Sequence, residues 1–260
     1  MCQYYFIYSL CVYLSEMTLN TNDGAAVQPE RTPEPLGRIV DWLVAALLVL
    51  GGLAVTAIGI AVYSAADRSW IAELVADGTI QSTDLTNAEL IDVTYGLAWW
   101  GGLGLLVTGG LLVVAGIAFL AYRRRSRARR EAQGITGPDT TANAIVGAVV
   151  TGVTSFVPFS PVLGGVVSGY LQGGDRAEGA RVGAYAGIVA AAPLAVLFGF
   201  LAVSFAVVAT ELSLAGPMAI GVAGLFVGFL VAVGYLVALS ALGGYLGIVI
   251  GERRDADSTA

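Results

Sequence analysis

Five stretches of this chain hold no Asp, Glu, Lys, Arg or His: residues 42–66, 93–122, 140–174, 182–210 and 212–251. A helix needs about 20 apolar residues to cross a hydrocarbon core roughly 30 Å thick. Every stretch is longer than that. A helix on a soluble protein shows polar positions recurring every 3.6 residues, and these stretches show no such face. Hydropathy therefore reads the chain as an integral membrane protein. Four full spans are expected, at about 40–63, 97–122, 181–209 and 217–251. The last, at 35 residues, would be about 52 Å long as one helix. It should tilt, overhang the bilayer, or break at Gly243-Gly244.

The stretch at 144–171 differs from the others. Pro158 and Pro161 flank Phe159-Ser160 at its centre. Proline removes an amide donor and clashes with the preceding turn, and it pushes the residue before it towards extended backbone. The helix should break there, leaving arms of about 14 and 12 residues, roughly 21 and 18 Å. Neither arm spans. If the segment crosses fully, Arg176, Arg181, Arg253 and Arg254 fall outside; if it turns back on itself, all four fall inside. The excess of basic residues in cytoplasmic loops favours the turn. Non-helical backbone at that depth needs protein or water around it. The fold expected is thus all-α and polytopic: four transmembrane helices plus a proline-broken, re-entrant-like helical hairpin.

Between the first two spans, residues 64–92 carry Asp67, Glu73, Asp77, Asp84, Glu89 and Asp92 against Arg68 alone. Trp70, Ile71, Leu74 and Val75 share one helical face, with Gly78 as the stop. Two readings stand: a helix lying on the outer membrane surface, or one packed over the ends of the spans. Thr86-Asn-Ala-Glu89 has the form of a capping box, so the second helix starts before it enters the membrane. It ends in RRRSRARR: Arg123, Arg124, Arg125, Arg127, Arg129 and Arg130. A run of this kind can bind nucleic acid or lipid headgroups. Directly after a span it reads first as a topology anchor. Both termini are then cytoplasmic in a multi-pass cell-membrane protein, and the acidic loop faces out. No nucleic-acid partner is expected.

Charge and composition add little chemistry. All 13 basic residues are Arg, and the formal net charge is −6. Lysine-free acidic chains suit a salt-loving or GC-rich source, since salt screens their self-repulsion. Both cysteines, Cys2 and Cys11, lie in the first sixteen residues. That segment lacks the basic start and cleavage site of a signal peptide; it reads as an upstream extension, with translation starting at Met17. The division expected is a disordered tail at 1–38, a two-span hairpin at 39–130, a linker at 131–141, a Gly-rich membrane domain at 142–251, and a disordered tail at 252–260.

Glycine is the strongest pattern. Gly179, Gly183 and Gly187 are spaced by four, as are Gly243, Gly247 and Gly251; Gly165/Gly169 and Gly224/Gly228 add pairs. Residues four apart share a face, and small residues let helices pack closely in lipid. The grooves serve either contacts within the chain or assembly of copies. Catalysis looks remote: there is no His or Lys, the spans hold no deep carboxylate, and Asp41 sits at an edge. That leaves out the usual acid–base, zinc and proton-coupling groups. No catalytic residue, cofactor or metal site is expected. The turn at 172–181, QGGDRAEGAR, has no preceding strand and no Lys, so it is not a phosphate loop. Asp175 and Glu178 fit a helix cap there.

FVPFSP (156–161), GYLQGGD (169–175) and EGARVGAYAG (178–187) together resemble a haloarchaeal family of small Gly-rich integral membrane proteins with a YLxGGD turn. The likeness covers about 141–251 and implies no activity, since that family has none assigned. The expected function is non-enzymatic, through helix packing or assembly with a second copy or other membrane proteins in the bilayer. The alternative is a passive channel or facilitator for a small solute that uses the 144–171 hairpin.

Overall fold

The computed structural model describes residues 35–83, 85–134, 137–211 and 215–258. Met17 and the N-terminal tail lie outside them. Among the described residues the chain is all helix: α1 (Pro35–Ser64), α2 (Arg68–Ala76), α3 (Asn87–Gln133), α4 (Thr140–Val153), α5 (Ser160–Gln172), α6 (Arg176–Glu211) and α7 (Ala215–Ser258). Four of these are long and apolar enough to cross a membrane, over Arg38–Ser64, Asn87–Gln133, Arg176–Thr210 and Gly221–Arg254. The described residues are thus all-α, with four such helices. From Asp41 onward the described residues form one compact unit.

Local signals set most boundaries. Thr86 caps α3, and Glu89 reaches back to the Thr86 amide at 2.8 Å, completing the capping box. Asp67 caps α2, and Gly78 at φ 78° follows its end. The Asp175 carboxylate accepts from the Glu178 amide at 2.7 Å at the start of α6. Gly173 and Gly174, both at positive φ, make the turn before it. α3 continues beyond the Arg run to Gln133 and stops at Gly134 in the left-handed region. Its last three turns thus extend about 16 Å past Tyr122.

The structure chooses between readings that the sequence left open. α2 packs on α3: Ile71 and Val75 are buried with Leu90, and Ile80, Leu85, Ile91 and Tyr95 close around them. Trp70 remains half exposed. Arg68 is held over the Tyr95 ring and paired with Asp92 at 3.3 Å. α7 does not break at Gly243-Gly244; it is a single helix of 44 residues. α6 carries Pro193 in its interior without interruption, although proline removes the donor for the carbonyl one turn earlier.

Within the unit, α6 packs against α3, α4, α5 and α7, and α7 packs against both α5 and α6. Val44 and Ala45 of α1, Phe119 of α3, and Ala142, Val146 and Val149 of α4 form one buried cluster. Segments that look separate on either side of the 131–141 linker therefore share one core.

Candidate functional site

Two features stand out: a polar clamp at one end of the unit and an apolar turn between α4 and α5. The clamp is built on the inward face of the Arg run. Arg123 Nε donates to Asp41 Oδ1 at 2.8 Å, and Arg127 pairs with the other oxygen of the same carboxylate. Arg123 Nη1 also meets Asp139 Oδ2 at 3.3 Å. Ser126 donates to Asp139 at 3.1 Å, and the Ala142 amide does so at 3.2 Å. Arg130 donates to the Gly137 carbonyl at 2.7 Å. Asp41 and Asp139 are buried. Burial works to raise the Asp139 carboxyl, but the Ala142 and Ser126 hydrogen bonds and the charges of Arg130 and Arg123 hold it below its usual value. The clamp ties the starts of α1 and α4 to the end of α3.

The same six arginines divide by helical face. Arg123, Arg127 and Arg130 are partly covered, while Arg124, Arg125 and Arg129 are exposed. Sequence alone treated them as one anchor. Asp41 and Asp139, which pair with Arg123 and Arg127, carried no sequence signal beyond their position at helix ends.

At this same end, Asn143 Nδ2 donates to Gln172 Oε1 at 3.0 Å, and Gln172 Nε2 donates to Thr140 Oγ1 at 3.1 Å. The first turns of α4 are thereby joined to the last turn of α5. Arg176 pairs with Glu252 at 2.8 Å, and Arg254 donates to the Tyr170 hydroxyl at 3.0 Å. The start of α6 and the end of α7 therefore lie at this end as well.

The glycines bring helices together. A β-carbon on Gly183 would overlap the Ser240 carbonyl, one on Gly179 would overlap Ile248, and one on Gly187 would come within 2.8 Å of the Leu236 carbonyl. Gly243 and Gly247 lie against the Val162 and Val166 carbonyls of α5, and Gly165 and Gly169 lie against α7 in return. Gly251 is looser, since a β-carbon there would lie 3.8 Å from the Tyr170 ring, and Gly224 and Gly228 have open space. A second seam, unnoticed in sequence, joins α1 and α3. A β-carbon on Gly52 would come within 2.7 Å of the Gly109 carbonyl, one on Gly59 within 2.7 Å of the Leu106 amide nitrogen, and one on Gly116 within 3.1 Å of the Ala45 carbonyl. Its signal was a spacing of seven at Gly52/Gly59 and Gly102/Gly109/Gly116, the repeat of a left-handed helix pair. Ser240, fully buried, donates to the Pro161 carbonyl at 3.0 Å and so fastens α7 to α5.

Pro158 lies in the turn between α4 and α5, and Pro161 in the first turn of α5. Turn hydrogen bonds recover part of the lost pairing, from Val157 N to Thr154 O at 2.8 Å and from Ser160 N to Val157 O at 3.1 Å. Phe159 is left-handed at φ 66°, a conformation that costs a non-glycine residue roughly 1–2 kcal/mol. Phe156 is 83% exposed and Phe159 62%. Thr151 and Thr154 donate to the carbonyls four residues earlier, a structural use of hydroxyls in lipid. No group of three His, Cys, Asp or Glu side chains able to hold a metal occurs among the described residues.

These features define the class as a multi-pass helical membrane protein. Residues 141–250, from α4 through most of α7, match the family of unknown function DUF5518. No curated protein and no solved structure matches the chain.

Proposed function

We propose that this chain is a non-enzymatic cell-membrane protein that works by assembling with a second copy through the turn between α4 and α5. The observation that carries this is the exposed pair Phe156 and Phe159 on non-helical backbone. α4 and α5 have 14 and 13 residues, so each reaches roughly 20 Å from the clamp end. A turn at that height would lie within a core about 30 Å thick, where irregular backbone needs a cover. The glycine seams are already taken up within the chain. The turn and the stretch of α7 around Gly224 and Gly228 remain open.

A single cysteine at position 156, in a background with Cys2 and Cys11 replaced by Ser, tests this. A bismaleimide crosslinker in native membranes should give a dimer. A monomer, together with labelling of position 156 by a water-soluble thiol reagent, would replace this reading with the solute facilitator, the turn lining a wet path.

The reading also places both termini in the cytoplasm. Its support is that the basic ends of α3 and α7 share one end of the unit with the starts of α4 and α6, while basic loops are retained inside. Single cysteines at 175, 211 and 260 should respond to an impermeant outside reagent at 211 only. Labelling at 175 and 260 with 211 protected would mean that 144–171 crosses.

A further inference from the structure

We infer that the outward face of α3 is a binding surface for an anionic phospholipid, with Arg124, Arg125 and Arg129 holding the headgroup phosphate. The inward half of the Arg run is occupied by Asp41, Asp139 and the carbonyls of Gly137 and Pro138. The outward half has no ion pair or hydrogen bond among the described residues. Three guanidiniums thus sit unneutralised on one side of two helical turns.

What lies along the helix below them selects the partner. Leu111, Val114 and Ile117 are 52%, 61% and 60% exposed, and Gly110 has open space beside it. At 100° per residue, 110, 114, 117, 121, 124, 125 and 128 fall on one face, with 111 and 129 together at its edge. An exposed apolar stripe therefore continues without interruption into the arginines. Arg124 to Arg129 lie about 3–10 Å beyond Tyr122 along the axis. The headgroup layer begins at that height, since the whole bilayer exceeds its core by roughly 5–8 Å on each side. An acyl chain along Leu111, Val114 and Ile117 would deliver its phosphate to Arg124 and Arg125, whose planar forks pair well with phosphate oxygens. A nucleic acid would match the arginines but leave the stripe unused. The inference depends on the membrane-spanning fold and not on assembly through the α4–α5 turn.

Native mass spectrometry of the full chain in mild detergent, titrated with phosphatidylglycerol or phosphatidylcholine, tests it. The wild type should prefer phosphatidylglycerol. R124Q/R125Q/R129Q should weaken that preference by about fivefold per arginine, on the order of 100-fold in all. Its melting temperature should stay at the wild-type value, because no described contact is removed. R181Q/R253Q, which removes two other exposed charges, should keep the preference. An unchanged lipid preference in the triple variant would overturn the proposal, as would an equal loss in R181Q/R253Q. Displacement of the lipid by millimolar inorganic phosphate or by a short RNA would also overturn it, showing a soluble anion as the ligand.

Discussion

Gly183→Leu should disrupt the α6–α7 contact and cost at least about 3 kcal/mol, the upper range for overpacking a close contact. A β-carbon there overlaps the Ser240 carbonyl and lies 3.0 Å from the Gly244 α-carbon. Both neighbours are backbone, so they cannot swing aside as a flexible side chain would. Ser240 also donates to Pro161, so pushing α7 away loosens α5 as well. The expected result is a purified protein that retains helical circular dichroism but melts well below the wild type in detergent. Gly224→Leu is the matched control, because open space surrounds Gly224. Its stability should change by no more than about 0.5 kcal/mol. A wild-type melting curve for Gly183→Leu would mean that α6 and α7 do not meet through this seam.

Asp41→Asn should destabilise the clamp by about 3 kcal/mol, as expected when one partner of a buried ion pair is removed. The substitution keeps the shape but leaves Arg127 without its carboxylate and Arg123 with Asp139 alone. Thermal melts of Asp41→Asn beside Arg124→Gln separate the two faces of the Arg run: the first should fall clearly, the second hardly at all. Equal effects would contradict the division. Asp139 adds a pH signature. Its carboxyl is held below the ordinary value in the folded chain, so its contribution is complete above the unfolded value of about 3.9. That contribution is lost as pH falls through the lower folded value. Melting temperature should not respond to Asp139 between pH 5 and 8 and should fall under more acid conditions. Asp139→Asn should lower stability at neutral pH and flatten that acid limb.

The elements were legible in the sequence. Long uncharged stretches, a capping box at Thr86, glycine stops and paired prolines are local in origin, because backbone geometry, helix ends and transfer into lipid act over a few residues. It therefore gave the four apolar helices and the break at 158–161 close to where they occur. It also showed that the glycines suit close helix packing, but not which of them are used or against which helix. Which surfaces pair is decided by the fit of whole helices. That Gly179, Gly183 and Gly187 face α7, and Gly243 and Gly247 face α5, came from the packed helices alone. The same holds for electrostatics: Arg123 and Asp41 are 82 residues apart in sequence, and charge pairing at that separation leaves no periodicity to read. The Arg run looked uniform because composition does not distinguish faces. Packing made one side a clamp and left the other to the surroundings, since only a helix with neighbours has an inside and an outside.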